Sequence, residues 1–160
     1  MYKRQIHFGH GTGANFLNWI SVVDCDFDCR PGGCGLDINA VDHLTVRGNF
    51  FAPSGHIPIQ VRCRESTISS NIIQNHALGS PFSDYGGYGG IVLMGSGSSP
   101  SVPFSRNNTI IGNTFADVSR GATIWIQSGG SKNVVMGNTF NNCLWTIYDQ
   151  ANSVVTGNTP

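Results

Sequence analysis

Charge is scarce in this chain. Only 11% of its 160 residues are Asp, Glu, Lys or Arg, and nine Lys+Arg balance nine Asp+Glu, so the formal net charge is zero. A protein that holds nucleic acid by displacing counterions needs a surplus of cations, and that class is excluded. Long apolar runs are missing as well. Short blocks such as Ile91-Val92-Leu93-Met94 stop at glycine, well below the roughly 18 residues of a membrane span. No apolar stretch follows Lys3 and Arg4 before Gly9-His10-Gly11, so the N-terminus does not read as a signal peptide. Cysteine is sparse and odd in number, at five, which leaves at least one thiol without a partner inside the chain. What is abundant is turn chemistry, with 21 glycines and 15 asparagines beside 39% hydrophobic residues. That mixture suits neither a disordered chain nor a helical bundle.

Met1-Tyr2-Lys3-Arg4-Gln5 is what GTG-TAT-AAG-AGA-CAG encodes with GTG as start codon, and this resembles the mosaic end of a transposase sequencing adapter. Residues 1–5 are therefore expected to be extraneous, and residues 6–160 to be one domain cut from a longer protein. Without Lys3 and Arg4, seven positive charges would face nine negative ones.

One motif recurs along the chain. Leu44-Thr45-Val46-Arg47-Gly48-Asn49-Phe50-Phe51, Thr67-Ile68-Ser69-Ser70-Asn71-Ile72-Ile73, Asn108-Thr109-Ile110-Ile111-Gly112-Asn113-Thr114-Phe115, Asn133-Val134-Val135-Met136-Gly137-Asn138-Thr139-Phe140 and Ser153-Val154-Val155-Thr156-Gly157-Asn158-Thr159-Pro160 share an Asn centre with a β-branched residue three before it. The centres lie 22, 42, 25 and 20 residues apart, the 42 reading as two periods. A weaker copy, Val22-Val23-Asp24-Cys25-Asp26-Phe27, puts Cys25 in the Asn position. Ahead of several motifs stands an alternating strand pattern: Leu36-Asp37-Ile38-Asn39, Ile57-Pro58-Ile59-Gln60-Val61-Arg62, Thr123-Ile124-Trp125-Ile126-Gln127 and Trp145-Thr146-Ile147-Tyr148. Two or three short strands per period leave no chain for a helix, so the expected geometry is a coil whose turns stack in parallel sheets. Asparagine at one corner would then bond the bend and the asparagine of the next turn.

This pattern, with Gly-Asn-Thr-Phe closing a turn, resembles the right-handed parallel β-helix repeat of the pectin-lyase-like superfamily over most of residues 18–160. The resemblance implies an all-β, single-stranded parallel solenoid of about six turns, uncapped at one or both ends. It leaves activity open, since that superfamily includes polysaccharide lyases, glycosidases, esterases, epimerases, phage tailspikes and surface adhesins. Polysaccharide-acting members place the sugar along one sheet, which directs attention to the outward residues of the alternating strands. These are Asp37, Asn39, Gln60, Arg62, Trp125, Gln127, Thr146 and Tyr148, a strip of hydrogen-bonding groups with two aromatic faces suited to sugars. Binding, with processing by a lyase, hydrolase or epimerase, is the first expectation. A non-catalytic adhesin or tail-component shaft is the second, and either implies an extracellular or cell-surface location.

Arg62 and Asp37 are the candidate catalytic groups. In a lyase a guanidinium neutralises the substrate carboxylate or takes the proton beside it, although an ion pair of Arg62 with Glu65 or Asp42 accounts for the same residues. Asp24, Asp26 and Asp28 would share a face of an extended strand and are the candidate calcium ligands, against a plain solvated acidic edge. Two loops break the period, at 75–90 and 95–106, and the first brings Asp84, Tyr85 and Tyr88 as candidate ligand contacts. Gly9-His10-Gly11 matches a short motif of the polygalacturonase branch, but that branch's Asn-Thr-Asp, Asp-Asp and Arg-x-Lys partners are absent. Cys29 and Cys34 could close a small disulfide loop, while Cys25, Cys63 and Cys143 read as core packing. Val154 and Val155 lie in a last turn that resembles the internal ones, so open ends and self-association are expected.

Overall fold

The corners are made by single residues. Before each central asparagine the backbone is left-handed, with φ of +68° at Gly48, +54° at Ser70, +62° at Gly112 and Gly137, and +61° at Gly157. One residue in that region redirects an extended chain without a longer loop, so strands of two or three residues can follow each other directly. The computed structural model describes residues 6–8, 17–28, 35–52, 57–74, 89–95, 105–118 and 121–160.

The chain winds as follows. A first turn carries β1 (Ile6–Phe8), β2 (Leu17–Asn18), β3 (Ser21–Val23) and β4 (Asp26–Phe27). Four turns follow: β5 (Leu36–Asp42), β6 (Thr45–Arg47) and β7 (Phe50–Phe51); then β8 (Ile59–Arg64), β9 (Thr67–Ser69) and β10 (Ile72–Gln74). The next two are β11 (Ile91–Leu93), β12 (Thr109–Ile111) and β13 (Thr114–Ala116), then β14 (Ala122–Ile126), β15 (Val134–Met136) and β16 (Thr139–Asn141). A last turn contributes β17 (Trp145–Asp149) and β18 (Val154–Thr156). They form a long sheet in the order β1-β5-β8-β11-β14-β17 with β2 also on β5, a middle sheet β3-β6-β9-β12-β15-β18 and a short sheet β4-β7-β10-β13-β16. Every pairing is parallel. The described residues thus form an all-β parallel solenoid of four complete turns, β5 to β16, with partial turns on either side, and contain no helix. The 42-residue interval from Asn71 to Asn113 is one turn and not two, because β9 pairs directly with β12 and β10 with β13.

Register turns the repeat into three apolar columns. Leu36, Ile59, Ile91, Ile124 and Ile147 align in the long sheet. Val22, Val46, Ile68, Ile110 and Val135 align in the middle one. Phe27, Phe51, Ile73, Phe115 and Phe140 align in the short one. All belong to or pack on one core, and the Phe27–Phe51 and Phe115–Phe140 rings stack at 4.6 and 5.2 Å. Burial on this scale contributes about 1.5–3 kcal/mol per large side chain, which makes the shared interior the main source of stability.

The asparagine corner is a buried ladder. The Nδ2 of Asn49, Asn71, Asn113 and Asn138 each donates to Oδ1 of the next, at 2.9, 2.9, 3.0 and 2.9 Å, ending on Asn158. Each Oδ1 also accepts the preceding rung's backbone N–H, and each Nδ2 reaches a carbonyl such as Val46 or Ile68. Cys25 keeps the place of the first rung, its N–H donating to Asn49 Oδ1 at 3.0 Å. Its side chain is exposed, whereas Cys63 is buried and Cys143 packs partly on the core. Core packing therefore fails for Cys25, because its rung is the outermost described one. A second ladder runs five residues earlier. Leu44 N–H donates to Ser66 Oγ, Ser66 N–H to Asn108 Oδ1, and Asn108 Nδ2 to Asn133 Oδ1 at 3.0 Å.

Candidate functional site

On the outer face of the long sheet, register places Asp37, Gln60, Val92, Trp125 and Tyr148 in one row across five strands. Asn39 and Arg62 begin a second row. Gln127 lies just past β14, where its N–H bonds Leu93 O and its Oε1 accepts from Gly95 N–H at 2.9 Å. The alternation that aims these side chains outward follows from the inward Ile and Val between them.

Trp125 and Tyr148 are neighbours in this row. Their rings stack at 6.4 Å and 19°, and Gln150 ties them, accepting from Trp125 Nε1 at 3.1 Å and donating to Tyr148 Oη at 3.0 Å. Tyr148 is 48% exposed, so the pair presents aromatic surface to solvent. Gln150 did not emerge from the sequence, because it lies beyond the alternating stretch of β17.

The strip is not continuous. Val92 and Met94, on the outward side of β11, are buried and form a small apolar cluster with Ile57, against which Trp125 packs. Four consecutive apolar residues in place of alternation were the available signal, since a strand covered on both faces loses its polar positions. The outer face thus divides into a polar half around Asp37, Asn39, Gln60 and Arg62 and an aromatic half around Trp125 and Tyr148. Two strand spacings, about 10 Å, separate β8 from β14.

A bulge shapes the polar half. Ala40 is left-handed, φ +60°, and nearly fully buried, and the β5–β8 register shifts there, Asn39 facing Arg62 but Val41 facing Cys63. The extra residue brings Asp42 opposite Arg64, whose Nε and Nη2 bond its two carboxylate oxygens. Hydrogen bonding to Asp42 holds the Arg64 pKa above its ordinary value, outweighing desolvation. Glu65 faces His43 at 3.7 Å, and His43 stacks under Trp19 at 4.3 Å. The carboxylates considered as partners of Arg62 therefore serve Arg64 and His43, and the ion-pair expectation for Arg62 is corrected. Arg62 Nε is buried without a hydrogen-bond partner among the described residues, and burial lowers the pKa of the guanidinium. Burial of the thiol similarly pushes Cys63 up to about 12, so it stays a neutral core group.

A family model for the right-handed β-helix region matches residues 11–159. The chain belongs to the right-handed β-helix family. Among curated proteins and among solved structures, none matches it significantly.

The other expected sites of this β-helix fare unevenly. Asp24, Asp26 and Asp28 do not share one strand face, because Asp24 is itself a left-handed corner residue, φ +52°, and only Asp26 and Asp28 flank the buried Phe27. Among the described residues no group of three His, Cys, Asp or Glu could hold a metal ion, which corrects the calcium expectation. Thr146 stands outward beside Thr123 and is half-buried. Trp145, expected inward, shares the register of Ala122 yet is 64% exposed, since β17 is the outermost strand of its sheet. Asp84, Tyr85, Tyr88, the Gly9-His10-Gly11 segment and the Cys29 to Cys34 loop lie outside the described residues.

Proposed function

We propose that this β-helix binds a polysaccharide along the outer face of its long sheet, outside the cell or at its surface. The observation that carries the reading is the Trp125–Tyr148 pair, with Tyr148 exposed and Trp125 half-buried, braced by Gln150 and in the same register row as Gln60 and Asp37. Sugar rings offer C–H faces to aromatic surfaces and hydroxyls to amides and carboxylates, and this face supplies both. Asp37 and Arg62 stand diagonally on neighbouring strands and are the residues through which processing of a bound sugar would run. Replacing Trp125 and Tyr148 together by Ala should reduce retardation in affinity gels containing polysaccharide by about ten-fold or more, the scale of losing two aromatic contacts. Unchanged retardation would remove this face as the binding site. If the wild-type chain is not retarded by any polymer, the second reading holds, a rigid shaft; the unbroken ladder from Asn49 to Asn158 supports it.

A further inference from the structure

The corner between the long and middle sheets is left-handed in six successive turns, at Trp19, His43, Glu65, Asn107, Lys132 and Asn152, with φ between +51° and +60°. None of the six is glycine, although glycine fills most of the asparagine corner. Backbone bonds hold the column together, Trp19 N–H donating to Asp42 O, His43 N–H to Arg64 O and Glu65 N–H to Arg106 O. A left-handed conformation costs a residue with a side chain about 1–2 kcal/mol, and bulky side chains suit it least. Trp19 is the bulkiest of the six and stands at φ +60°. Burial does not offset this strain, because Trp19 is 77% exposed. A large apolar ring held at the surface on a strained backbone disfavours folding twice over, and such conflicts gather where a protein binds something.

The ring is braced from one side. Its indole lies nearly parallel to the His43 imidazole, with centroids 4.3 Å apart and planes at 17°, and Glu65 meets His43 Nε2 at 3.7 Å from the next turn. One indole face is thus covered while the other is open to solvent. Its surroundings are polar: Asn18 and Ser21 are exposed beside it, and Asp42, in register with Asn18, is held by Arg64. Leu17, also exposed, stands in the register of the buried Val41 and belongs to the end of the core.

We propose that Trp19 is the platform of a second saccharide subsite, taking an uncharged pyranose ring on its open face. The proposal rests on the polysaccharide reading above for the class of ligand but not for its location, since Trp19 lies in the first turn and Trp125 and Tyr148 in the last two. A pyranose has a face of C–H groups and a rim of hydroxyls, and a fixed indole among polar neighbours answers both. Bracing by His43 means that little freedom is lost when the sugar arrives. A protein partner fits less well, because a stable interface buries roughly 800 Å² per partner around an apolar centre, far more than one ring. Acidic sugars gain nothing here, because the groups beside the ring already face each other, Asp42 with Arg64 and Glu65 with His43.

The test follows the indole Nε1–H resonances of the whole chain by NMR, below the concentration at which light scattering detects association. Three tryptophans give three signals, assigned with the variants Trp19→Ala, Trp125→Ala and Trp145→Ala. Trp145, 64% exposed at the opposite end, reports indiscriminate contact with an open aromatic ring. Cellohexaose, mannohexaose and hexagalacturonate are added in turn. The Trp19 signal should move with a neutral hexaose while the Trp145 signal stays. In affinity gels containing the corresponding neutral polymer, Trp19→Ala should weaken retardation about three- to tenfold, the scale of one aromatic contact. The same loss is expected when Trp125 and Tyr148 are already alanine. Movement of Trp19 without Trp125 supports the proposal and removes the long-sheet reading; movement of Trp125 without Trp19 does the reverse. Equal movement of Trp19 and Trp145, a stronger response of Trp19 to hexagalacturonate than to either neutral hexaose, or no movement of Trp19 with any of the three refutes the proposal.

Discussion

The left-handed corner is the residue on which this architecture turns, and the chain fills it unevenly. Gly48, Gly112, Gly137 and Gly157 occupy it without cost to a side chain, but Ser70 and Asp24 adopt the same geometry at φ +54° and +52°. A Cβ in this region costs about 1–2 kcal/mol, partly offset because glycine also loosens the unfolded chain. At Gly137 no atom lies within 4 Å of where a Cβ would stand, so an alanine there would suffer backbone strain and nothing else. Urea denaturation should therefore show Gly137→Ala destabilised by about 1 kcal/mol and Ser70→Gly stabilised by a few tenths to about 1 kcal/mol. A Gly137→Ala protein with an unchanged midpoint would mean that this corner is not held left-handed in solution.

Between corners, the ladders matter more than the strands they join. Asn113 Oδ1 accepts from the Asn71 backbone and amide, and its Nδ2 donates to Asn138 Oδ1 and Ile68 O, all buried. Alanine at this position would strand several of those groups at once, at a cost of about 3–5 kcal/mol. Asn158→Ala, at a partly buried rung, should cost far less because water can replace the amide; equal losses at the two positions would argue against burial as the cause. The asparagine ladder was legible in the sequence because one residue type recurs at it. Its companion was not, because Leu44, Ser66, Asn108 and Asn133 vary in type while keeping the place five residues earlier. The same holds on the outer face of the long sheet: alternation revealed Asp37, Gln60 and Trp125, but the Ala40 bulge changes which carboxylate meets which arginine, and no periodicity encodes that.

As a whole, the molecule is a stack in which each turn contacts only its neighbours, so cohesion is local and the ends matter. In the last turn Val154 is 60% exposed, Val155 45%, Leu144 64% and Trp145 64%. Apolar surface beside open parallel edges favours contact with other chains. The 160-residue chain is therefore expected to associate at roughly tens of micromolar, the range in which such edges meet, and light scattering showing a stable monomer there would refute this. The five-residue interval between the two ladders has a wider consequence. It is identical in every turn, while the distance from one turn to the next ranges from 20 to 42 residues. All freedom of length thus lies outside a fixed gauge. Such a chain can gain or lose residues between gauges and stay in phase, whereas one residue added inside a gauge would put that turn's asparagine on the wrong side of its corner.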